Sequence, residues 1–271
     1  MTKVSFQGEY GAYSESAAKK FFGEEIESVP RNTFEDALKN TENDNSNFSI
    51  LPVENSIEGT VGQSIDAITQ TDLHSIGEIY LKVEHCLIGI GKLEEIKTVY
   101  SHPQALGQCS EFIQDKKLKT VPTYDTAGSV KIVKEMNDFH SASIASKYAG
   151  ILYDMPIIKQ GIENNSNNYT RFLIFSKNNS EEGTNDKTSI IFSVKHEPGA
   201  LHQILKEFND NDINLTKIES RPNKNTNWEY NFFVDFLGHY SNSKIMSVMK
   251  KISENTLFLK VIGSYPIADL D

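Results

Sequence analysis

The stretch Ser176–Lys187, SKNNSEEGTNDK, divides the chain into parts of roughly 176 and 85 residues. It is polar, contains a glycine and lacks apolar periodicity, as is typical of a linker. On both sides of it, short apolar strands alternate with amphipathic helices, which predicts two α/β regions. We therefore expect an N-terminal domain over residues 1–176, a linker over 177–186 and a C-terminal domain over 187–271.

The C-terminal part predicts six elements in the order βαββαβ. The strands are apolar and rich in β-branched or aromatic residues, and both helices carry apolar residues on one face. That order is the ferredoxin-like, split βαβ arrangement. The predicted elements are Thr188–His196, Pro198–Asn209, Ile213–Pro222, Trp228–Leu237, Ser243–Glu254 and Leu257–Tyr265.

The N-terminal part also alternates, and this pattern predicts a mostly parallel α/β architecture. Ligands in such sheets bind beyond the carboxyl ends of the strands, near the starts of the following helices. Well-defined examples are the strands Thr98–Ser101 and Lys119–Pro122, the helix Tyr13–Phe22 and a helix over Pro103–Asp115.

The composition excludes several classes of function. The formal net charge is −10 over 271 residues, which argues against a nucleic-acid-binding surface. No run of about 18 apolar residues occurs, so we expect no membrane span, and no signal-peptide core is visible. Two isolated cysteines, Cys86 and Cys109, fit a reducing compartment and no metal cluster. We expect a cytoplasmic protein.

Four polar motifs lie at predicted junctions between strands and helices. Their Ser, Thr, Asn, Gln and Gly content suits an anion held by hydroxyls and backbone N–H groups at helix N-termini. Ordinary helix capping uses the same residue types, but four such motifs in one domain favour a shared cleft. Glu54, within the second motif, is either a buried acid or an orienting acceptor. The motifs are GEYGAYSE (8–15), LPVENSIEGTV (51–61), SHPQALGQ (101–108) and DTAGSV (125–130).

Thr170-Arg171-Phe172 forms a fifth motif, at the start of an apolar run. The 27 basic residues comprise 24 Lys and only three Arg, at positions 31, 171 and 221. A guanidinium is favoured where an anion is recognised by a planar, bidentate contact, so Arg171 is a candidate ligand-binding group. A structural salt bridge is an equally good interpretation.

Taken together, LPVENSIEGTV, SHPQALGQC (101–109), DTAG (125–128) and TRF (170–172) resemble the prephenate dehydratases. PGAL (198–201) and ESRP (219–222) resemble motifs of an ACT regulatory domain. The resemblance implies a two-lobed catalytic domain similar to periplasmic binding proteins, with lobes of roughly 1–75 plus 160–176 and 76–159. No mutase or dehydrogenase segment precedes Met1, so we expect the monofunctional form.

The resemblance implies decarboxylating dehydration of prephenate to phenylpyruvate, in L-phenylalanine biosynthesis. No metal, flavin or nicotinamide cofactor is required. It implies that Thr170 is the catalytic residue assisting the departing hydroxyl, and we consider Glu54 a possible source of the proton. Arg171 either clamps a carboxylate or holds Thr170, and Phe172 packs against the ring. The implied polar cradle consists of Asn55, Ser56, Ser101, Gln104 and Thr126.

The ACT resemblance implies feedback inhibition by L-phenylalanine, with a homodimer or homotetramer formed through the ACT and catalytic domains. One strand would contribute to the effector site across a subunit interface. Gly199 permits close approach of a backbone. The implied effector-binding residues are Glu197, Pro198, Gly199, Ala200 and Leu201, together with Glu219, Ser220, Arg221 and Pro222.

Two alternatives remain open at this point. An enzyme of the same architecture could act on arogenate, the aminated relative of prephenate. A non-enzymatic amino-acid sensor would need the anion cradle but no hydroxyl placed against a leaving group.

Overall fold

The computed structural model describes residues 1–222 and 230–270. Contacts group these residues into two compact units: Met1–Ile65 with Ile79–Phe172, and Asp66–Glu78 with the chain from Leu173 onwards. The strands are β1 Thr2–Gln7, β2 Ile26–Arg31, β3 Phe48–Asn55, β4 Gly59–Thr60, β5 His74–Lys82, β6 Cys86–Ile88, β7 Thr98–Ser101, β8 Lys119–Pro122, β9 Ser141–Ala145, β10 Ile157–Gln160, β11 Tyr169–Ser176, β12 Asp186–Ser193, β13 Leu215–Pro222, β14 Tyr230–Leu237 and β15 Phe258–Pro266. The α-helices are α1 Tyr13–Phe22, α2 Phe34–Glu42, α3 Gly62–Gln70, α4 Pro103–Gln108, α5 Ser110–Asp115, α6 Thr126–Met136, α7 Lys147–Leu152, α8 Ala200–Asp210 and α9 Ser243–Glu254.

The first sheet is built around β1 and β3. Its order is β2-β1-β3-β11-β5, and the short strand β4 pairs antiparallel with the end of β3. The pairs β1–β2 and β1–β3 are parallel, so β1 and β3 end at the same edge of the sheet. The core residues Val4, Phe6 and Ile50 have no exposed surface. The polar loops that follow β1 and β3 are thereby brought to one side, where a ligand site is expected.

The second sheet has the order β10-β6-β9-β7-β8. β7 runs parallel to both β8 and β9, whereas β6 is antiparallel to β9 and to β10. The sheet is therefore mixed, because β6 and β10 depart from the mostly parallel arrangement predicted from the sequence. Helices α4 and α5 pack on it through Ala105, Cys109 and Ile113, and α6 packs through Val130 and Val133.

The C-terminal sheet has the order β13-β14-β12-β15, and its described pairs are antiparallel. Apolar residues of β12 and β14 form one core with both helices, α8 contributing Ile204 and Phe208 and α9 contributing Val248 and Ile252. Both helices therefore cover one face, and the predicted βαββαβ fold is confirmed. Residues 228–229 of the predicted third strand lie outside the described residues.

The segment Asp66–Glu78 belongs to the same compact unit as the C-terminal sheet and packs against that sheet. The Lys187 ammonium lies 2.8 Å from a Glu78 carboxylate oxygen, and both side chains are buried. Lys260 donates hydrogen bonds to backbone carbonyls at the end of α3, including that of Ile68 at 2.9 Å. A Cβ on Gly263 would meet the Ser75 carbonyl oxygen at 2.1 Å. The absence of a side chain at position 263 is what allows the two backbones to approach so closely.

Candidate active site

A cavity of about 250 Å³ lies within the first unit, at the starts of α1, α4 and α6 and beside the end of β3 and the start of β11. No lysine or arginine occurs among its described lining residues. One acidic residue, Asp125, does line it. Its imidazoles are those of His85 and His102. The cavity is lined by Gln7, Gly8, Ala12, Tyr13, Ser14, Phe34, Pro52, Asn55, Val61, Val83, His85, His102, Gln104, Ala105, Gln108, Tyr124, Asp125, Thr126, Thr170 and Phe172.

The structure separates the predicted catalytic-domain residues into two groups. Five of them line the cavity, although they come from four distant motifs: Asn55, Gln104, Thr126, Thr170 and Phe172. The other four do not line it and contact neighbouring protein groups instead: Glu54, Ser56, Ser101 and Arg171.

The hydroxyls of Ser101 and Ser56 form hydrogen bonds with backbone groups and do not line the cavity. The Ser101 hydroxyl is fully buried and donates to the Ile144 carbonyl at 2.6 Å, which links β7 to β9. The Ser56 hydroxyl donates to the Asn167 carbonyl at 3.0 Å and accepts from the Tyr169 N–H at 2.9 Å. Both side chains shape the walls of the cleft through the segments that they hold.

Glu54 and Arg171 face each other. Arg171 Nη1 lies 3.7 Å from a Glu54 carboxylate oxygen, and the arginine side chain is buried. Because side chains alternate along a strand, Thr170 and Phe172 point into the cavity while Arg171 between them points elsewhere. This geometry favours the salt-bridge interpretation of Arg171, with the guanidinium holding the strand that carries Thr170.

Asn55 makes four internal hydrogen bonds. Its Oδ1 accepts from the backbone N–H groups of Ile57 and Glu58, at 3.0 and 3.1 Å. Its Nδ2 donates to Asn168 Oδ1 at 2.7 Å and to Thr170 Oγ1 at 3.1 Å. A backbone N–H can only donate, so the orientation of the Asn55 amide is fixed.

The remaining amides of this cluster are fixed in the same way. Asn168 Nδ2 donates to Gln108 Oε1 at 3.2 Å, and Gln108 Nε2 donates to Glu58 Oε1 at 2.7 Å. Gln104 Nε2 donates to the other Glu58 oxygen at 2.6 Å. The Glu58 carboxylate therefore links the turn after β3 to α4 through Gln104 and Gln108, which both line the cavity.

Thr170 is the end point of this network. Its hydroxyl oxygen accepts a hydrogen bond from Asn55, so the hydroxyl hydrogen cannot point along that same contact. Within the described residues, no acceptor takes that hydrogen. A molecule in the cavity can therefore receive a hydrogen bond from Thr170, which is the property required of a group that assists a leaving hydroxyl.

Helix α1 provides a place for an anion. It begins at Tyr13 after Ala12, and no described side chain caps its first N–H groups. Ala12, Tyr13 and Ser14 all line the cavity, so these donors lie beside it. Helix α6, in contrast, is capped by Asp125, which accepts from the Gly128 N–H at 2.6 Å. The N–H groups of α1 can donate to a ligand carboxylate, and they do so beside Glu15 of the same turn, whose carboxylate accepts from the Gly11 N–H at 2.6 Å.

The polar residues of the cavity that were not predicted as site residues include Tyr13, His85 and Gln108. The Tyr13 hydroxyl lies 2.7 Å from the Glu84 carbonyl and 3.0 Å from His85 Nδ1. Burial raises the pKa of Tyr13 and lowers the pKa of His85. The available signal was the position of His85 immediately before the apolar strand β6, a polar group that must find partners inside the protein.

A second, smaller cavity of about 160 Å³ lies in the C-terminal unit, at the start of α8. Of the predicted effector residues, Glu197, Ala200 and Leu201 line it. Gly199 adopts φ = +88° and leads into α8, where no described side chain caps the helix. The ESRP residues lie on β13, whose Ser220 and Pro222 pair with Phe232 and Tyr230, two further lining residues. Glu219 lies 3.4 Å from Lys217, and Arg221 lies 3.2 Å from Asp66.

The cleft and the appended βαββαβ domain define a small-molecule enzyme joined to a regulatory domain. The chain belongs to the prephenate dehydratase family, whose family model matches residues 4–180, and an ACT domain model matches residues 188–254. It is thus a carbon–oxygen lyase with a C-terminal ACT domain, as the resemblance predicted.

Known relatives support this assignment. The chain is 39% identical over 267 residues to the prephenate dehydratase of Methanocaldococcus jannaschii, covering 96% of each chain. It superposes with a TM-score of 0.89 on a prephenate dehydratase from Arthrobacter aurescens in complex with L-Phe, at 25% identity over 98% of this chain and 90% of that one. GqqA, described as a novel type of quorum quenching acylase, also gives a TM-score of 0.89, at 27% identity over 98% of both chains.

Several predictions from the sequence remain predictions, among them the roles of the site residues, the domain boundaries, the oligomeric state and the cytoplasmic location. Among the described residues, no helix is both long enough and apolar enough to cross a membrane.

Proposed function

We propose that the cleft converts prephenate to phenylpyruvate, carbon dioxide and water. The electron pair of the bond to the ring carboxylate moves into the ring, and the hydroxyl on the opposite carbon leaves with one proton as water. Aromaticity is restored, so the driving force lies in the substrate. The enzyme has to orient a dianion and assist the hydroxyl. The observation that carries the proposal is the Thr170 hydroxyl, held by Asn55 with its hydrogen available to the cavity.

Thr170 assists departure of the hydroxyl by donating a hydrogen bond to it. As negative charge develops on the departing oxygen, the Thr170 hydrogen moves towards it, and the hydrogen bond from Asn55 stabilises the charge left on Thr170 Oγ1. Thr170 Oγ1 regains a proton from the solvent after the water has left, so the net proton consumed comes from the solvent. A free alcohol is a weak acid, so this second donor lowers the cost of donation. General acid assistance of this kind contributes typically ~10²–10⁴-fold.

The substrate carboxylates are held by dipoles rather than by lysine or arginine. One carboxylate is placed at the uncapped start of α1, beside Tyr13 and Ser14. The Thr126 hydroxyl and the Gln104 amide are within the same cavity and provide further donors. Phe172 lies beside Thr170 on the cavity wall and provides an apolar surface for the ring.

Glu54 is proposed as a positioning residue that acts through Arg171. Its carboxylate faces the guanidinium of the residue next to Thr170, and Glu54 does not line the cavity. Direct proton delivery from Glu54, which the sequence suggested, is therefore the less favoured role. Ser56 and Ser101 are likewise proposed to position backbone segments rather than to contact substrate.

Regulation by L-phenylalanine is proposed for the ACT domain. The cavity at the start of α8 offers the carboxylate of Glu197 for an ammonium group and the uncapped N–H groups after Gly199 for a carboxylate. The relative from Arthrobacter aurescens was solved in complex with L-Phe. We propose that the effector binds here in a homodimer or homotetramer, with the ESRP strand of one subunit completing the site of another.

One assay tests reaction, specificity and regulation together. Purified protein is given prephenate or arogenate, with and without L-phenylalanine, and phenylpyruvate or phenylalanine is measured. We expect phenylpyruvate from prephenate, inhibition by L-phenylalanine, and loss of turnover in Thr170→Ala. Preferential turnover of arogenate would identify the aminated substrate. Binding of prephenate without turnover would indicate the non-enzymatic sensor. Because GqqA shares the fold, acylase activity is measured in parallel.

A further inference from the structure

The cleft contains a buried imidazole that the reaction above does not use. His85 is 2% exposed and lines the cavity, and both of its ring nitrogens have hydrogen-bond partners. Nε2 lies 2.9 Å from Gln108 Oε1, and Nδ1 lies 3.0 Å from the Tyr13 hydroxyl. The partners of the two nitrogens determine which of them carries a hydrogen.

The Nε2 side is fixed by Glu58. A carboxylate oxygen only accepts, so the Gln108 amide must turn its Nε2 towards Glu58 and its Oε1 towards His85. Asn168 Nδ2 donates to the same Gln108 oxygen, in agreement with this orientation. Nε2 of His85 is therefore the donor, and a neutral His85 has a lone pair on Nδ1.

When His85 is neutral, the Tyr13 hydroxyl cannot donate to both of its neighbouring acceptors, so one of these two contacts has no hydrogen. The Tyr13 hydroxyl has a single hydrogen and two neighbouring acceptors, the Glu84 carbonyl and His85 Nδ1. If His85 gains a proton, Nδ1–H donates to the Tyr13 oxygen and the Tyr13 hydroxyl donates to the Glu84 carbonyl. In the series of hydrogen bonds that runs from the Glu58 carboxylate through Gln108, His85 and Tyr13 to the Glu84 carbonyl, every donor then faces an acceptor. The geometry therefore suits the imidazolium form of His85.

The surroundings of His85 disfavour its charged form, and a nearby anion would favour it. Burial is the largest influence and lowers its pKa, while the Gln108 contact and the nearby Glu163 carboxylate act in the opposite direction. Glu163 also accepts from the backbone N–H of His85 at 2.9 Å. The thiols of Cys86 and Cys109, which influence Tyr13, have pKa values raised to about 11 and about 12 and stay uncharged.

We propose that His85 takes up a proton when the anionic substrate enters the cleft and then serves as the cation that stabilises a substrate carboxylate. The proton comes from the solvent, and no other bond changes. The identity of the anion, prephenate, rests on the proposed function. The proposal explains how a cleft whose described lining includes no lysine or arginine can hold a dianion.

Proton uptake is tested with the Thr170→Ala protein, in which binding is separated from turnover. Calorimetric titration with prephenate at pH 7 in two buffers of different ionisation enthalpy should show uptake of about one proton. His85→Asn should abolish the uptake and weaken binding by about tenfold or more. His102→Asn is the matched control, since His102 lines the same cavity, and should retain the uptake.

The pH dependence has a defined sign. Because His85 binds a proton more tightly in the complex, prephenate binding should strengthen about tenfold per unit as the pH falls between the pKa of the bound form and that of the free form. Below the free pKa, the His85 contribution should become constant. His85→Asn should remove this slope.

Nuclear magnetic resonance of ¹⁵N-histidine-labelled Thr170→Ala protein tests the same inference without substituting His85. The free protein should show the neutral Nε2–H tautomer, and prephenate should convert it to the imidazolium. Prephenate binding with unchanged His85 resonances, or proton uptake that persists in His85→Asn, would overturn the proposal. Failure of the proposed function has a different signature, since the wild-type protein would then form no phenylpyruvate.

Discussion

The cleft and the C-terminal unit both bury polar side chains, but they use them in opposite ways. In the cleft, a series of amides ends on Thr170, which lines the cavity and keeps its own hydroxyl hydrogen for a ligand. In the C-terminal unit, Lys187 and Glu78 neutralise each other away from any described cavity. A buried polar side chain can thus act on a ligand where its protein partners leave one donor unused, as at Thr170. Where the partners satisfy each other, as at Lys187 and Glu78, the contact stabilises the packing.

The largest effect is expected at the end of the cleft network. Thr170→Ala removes the donor to the leaving hydroxyl and should lower kcat for phenylpyruvate formation by ~10²–10⁴-fold. Thr170→Ser keeps the hydroxyl and should retain much of the activity. The comparison is made on proteins with matching circular dichroism spectra. Full activity of Thr170→Ala would remove Thr170 from the reaction.

The corresponding change in the C-terminal unit should affect stability. Lys187→Met removes the ammonium that lies 2.8 Å from the buried Glu78 carboxylate and should lower the free energy of unfolding by about 3–5 kcal/mol. Urea denaturation followed by circular dichroism measures this loss. The control is Lys206→Met, which removes an exposed ion pair with Asp210 on α8 and should cost well under about 1 kcal/mol. Equal losses in the two variants would contradict a special role for the buried pair.

A smaller effect is expected from reversing the polarity of the cleft network. Asn55→Asp replaces a donor to Thr170 by an acceptor, so the Thr170 hydroxyl would donate to the new carboxylate instead of to substrate. Turnover should fall by about 10–100-fold. Ser56→Ala is the neighbouring control, because Ser56 bonds only to the backbone among its described partners, and it should retain more activity.

The smallest effect is expected at the ion pair behind Thr170. Glu54→Gln should reduce kcat by roughly fivefold at most, with little change in KM, because the Glu54–Arg171 contact is long and the glutamate is partly exposed. Steady-state kinetics with prephenate provides the measurement. A loss as large as that of Thr170→Ala would instead identify Glu54 as the proton source that the sequence suggested.

Secondary structure was predictable where an element has a clear buried face. The bounds of α1, β7, β8 and α9 equal those predicted from the sequence. The sequence predicted no strand at β2, β4 or β10, and β2 and β10 both lie at sheet edges, where half-exposed residues give no apolar alternation. The helix predicted over Pro103–Asp115 is divided at Cys109, whose backbone leaves the helical conformation.

The candidate site was predictable as a set of motifs but not as a set of side chains. Helix starts rich in hydroxyls and amides do surround one cavity, as their positions after strands suggested. Ser101 nevertheless points into the sheet, because its hydroxyl completes a bond to the neighbouring strand. Which residues of a polar motif face a ligand depends on strand pairing, and that pairing involves residues far apart in the chain.

The three arginines show the same limit. Their scarcity indicated that each has a specific partner, and in the structure each one does. Arg171 pairs with Glu54, Arg221 with Asp66, and Arg31 donates to the Asn40 side chain and the Pro30 carbonyl. None of the three is among the described residues that line the candidate active-site cavity, and each contacts protein groups instead.

The sequence alone determined that this chain combines an α/β catalytic part with a βαββαβ domain, because hydrophobic periodicity and the polar motifs at helix starts are local properties. It also indicated the family through the order of those motifs. Only the tertiary structure decided which donors remain for a substrate. Asn55 and Thr170 are 115 residues apart, and their hydrogen bond, which directs the Thr170 hydroxyl, exists only once β3 and β11 lie side by side.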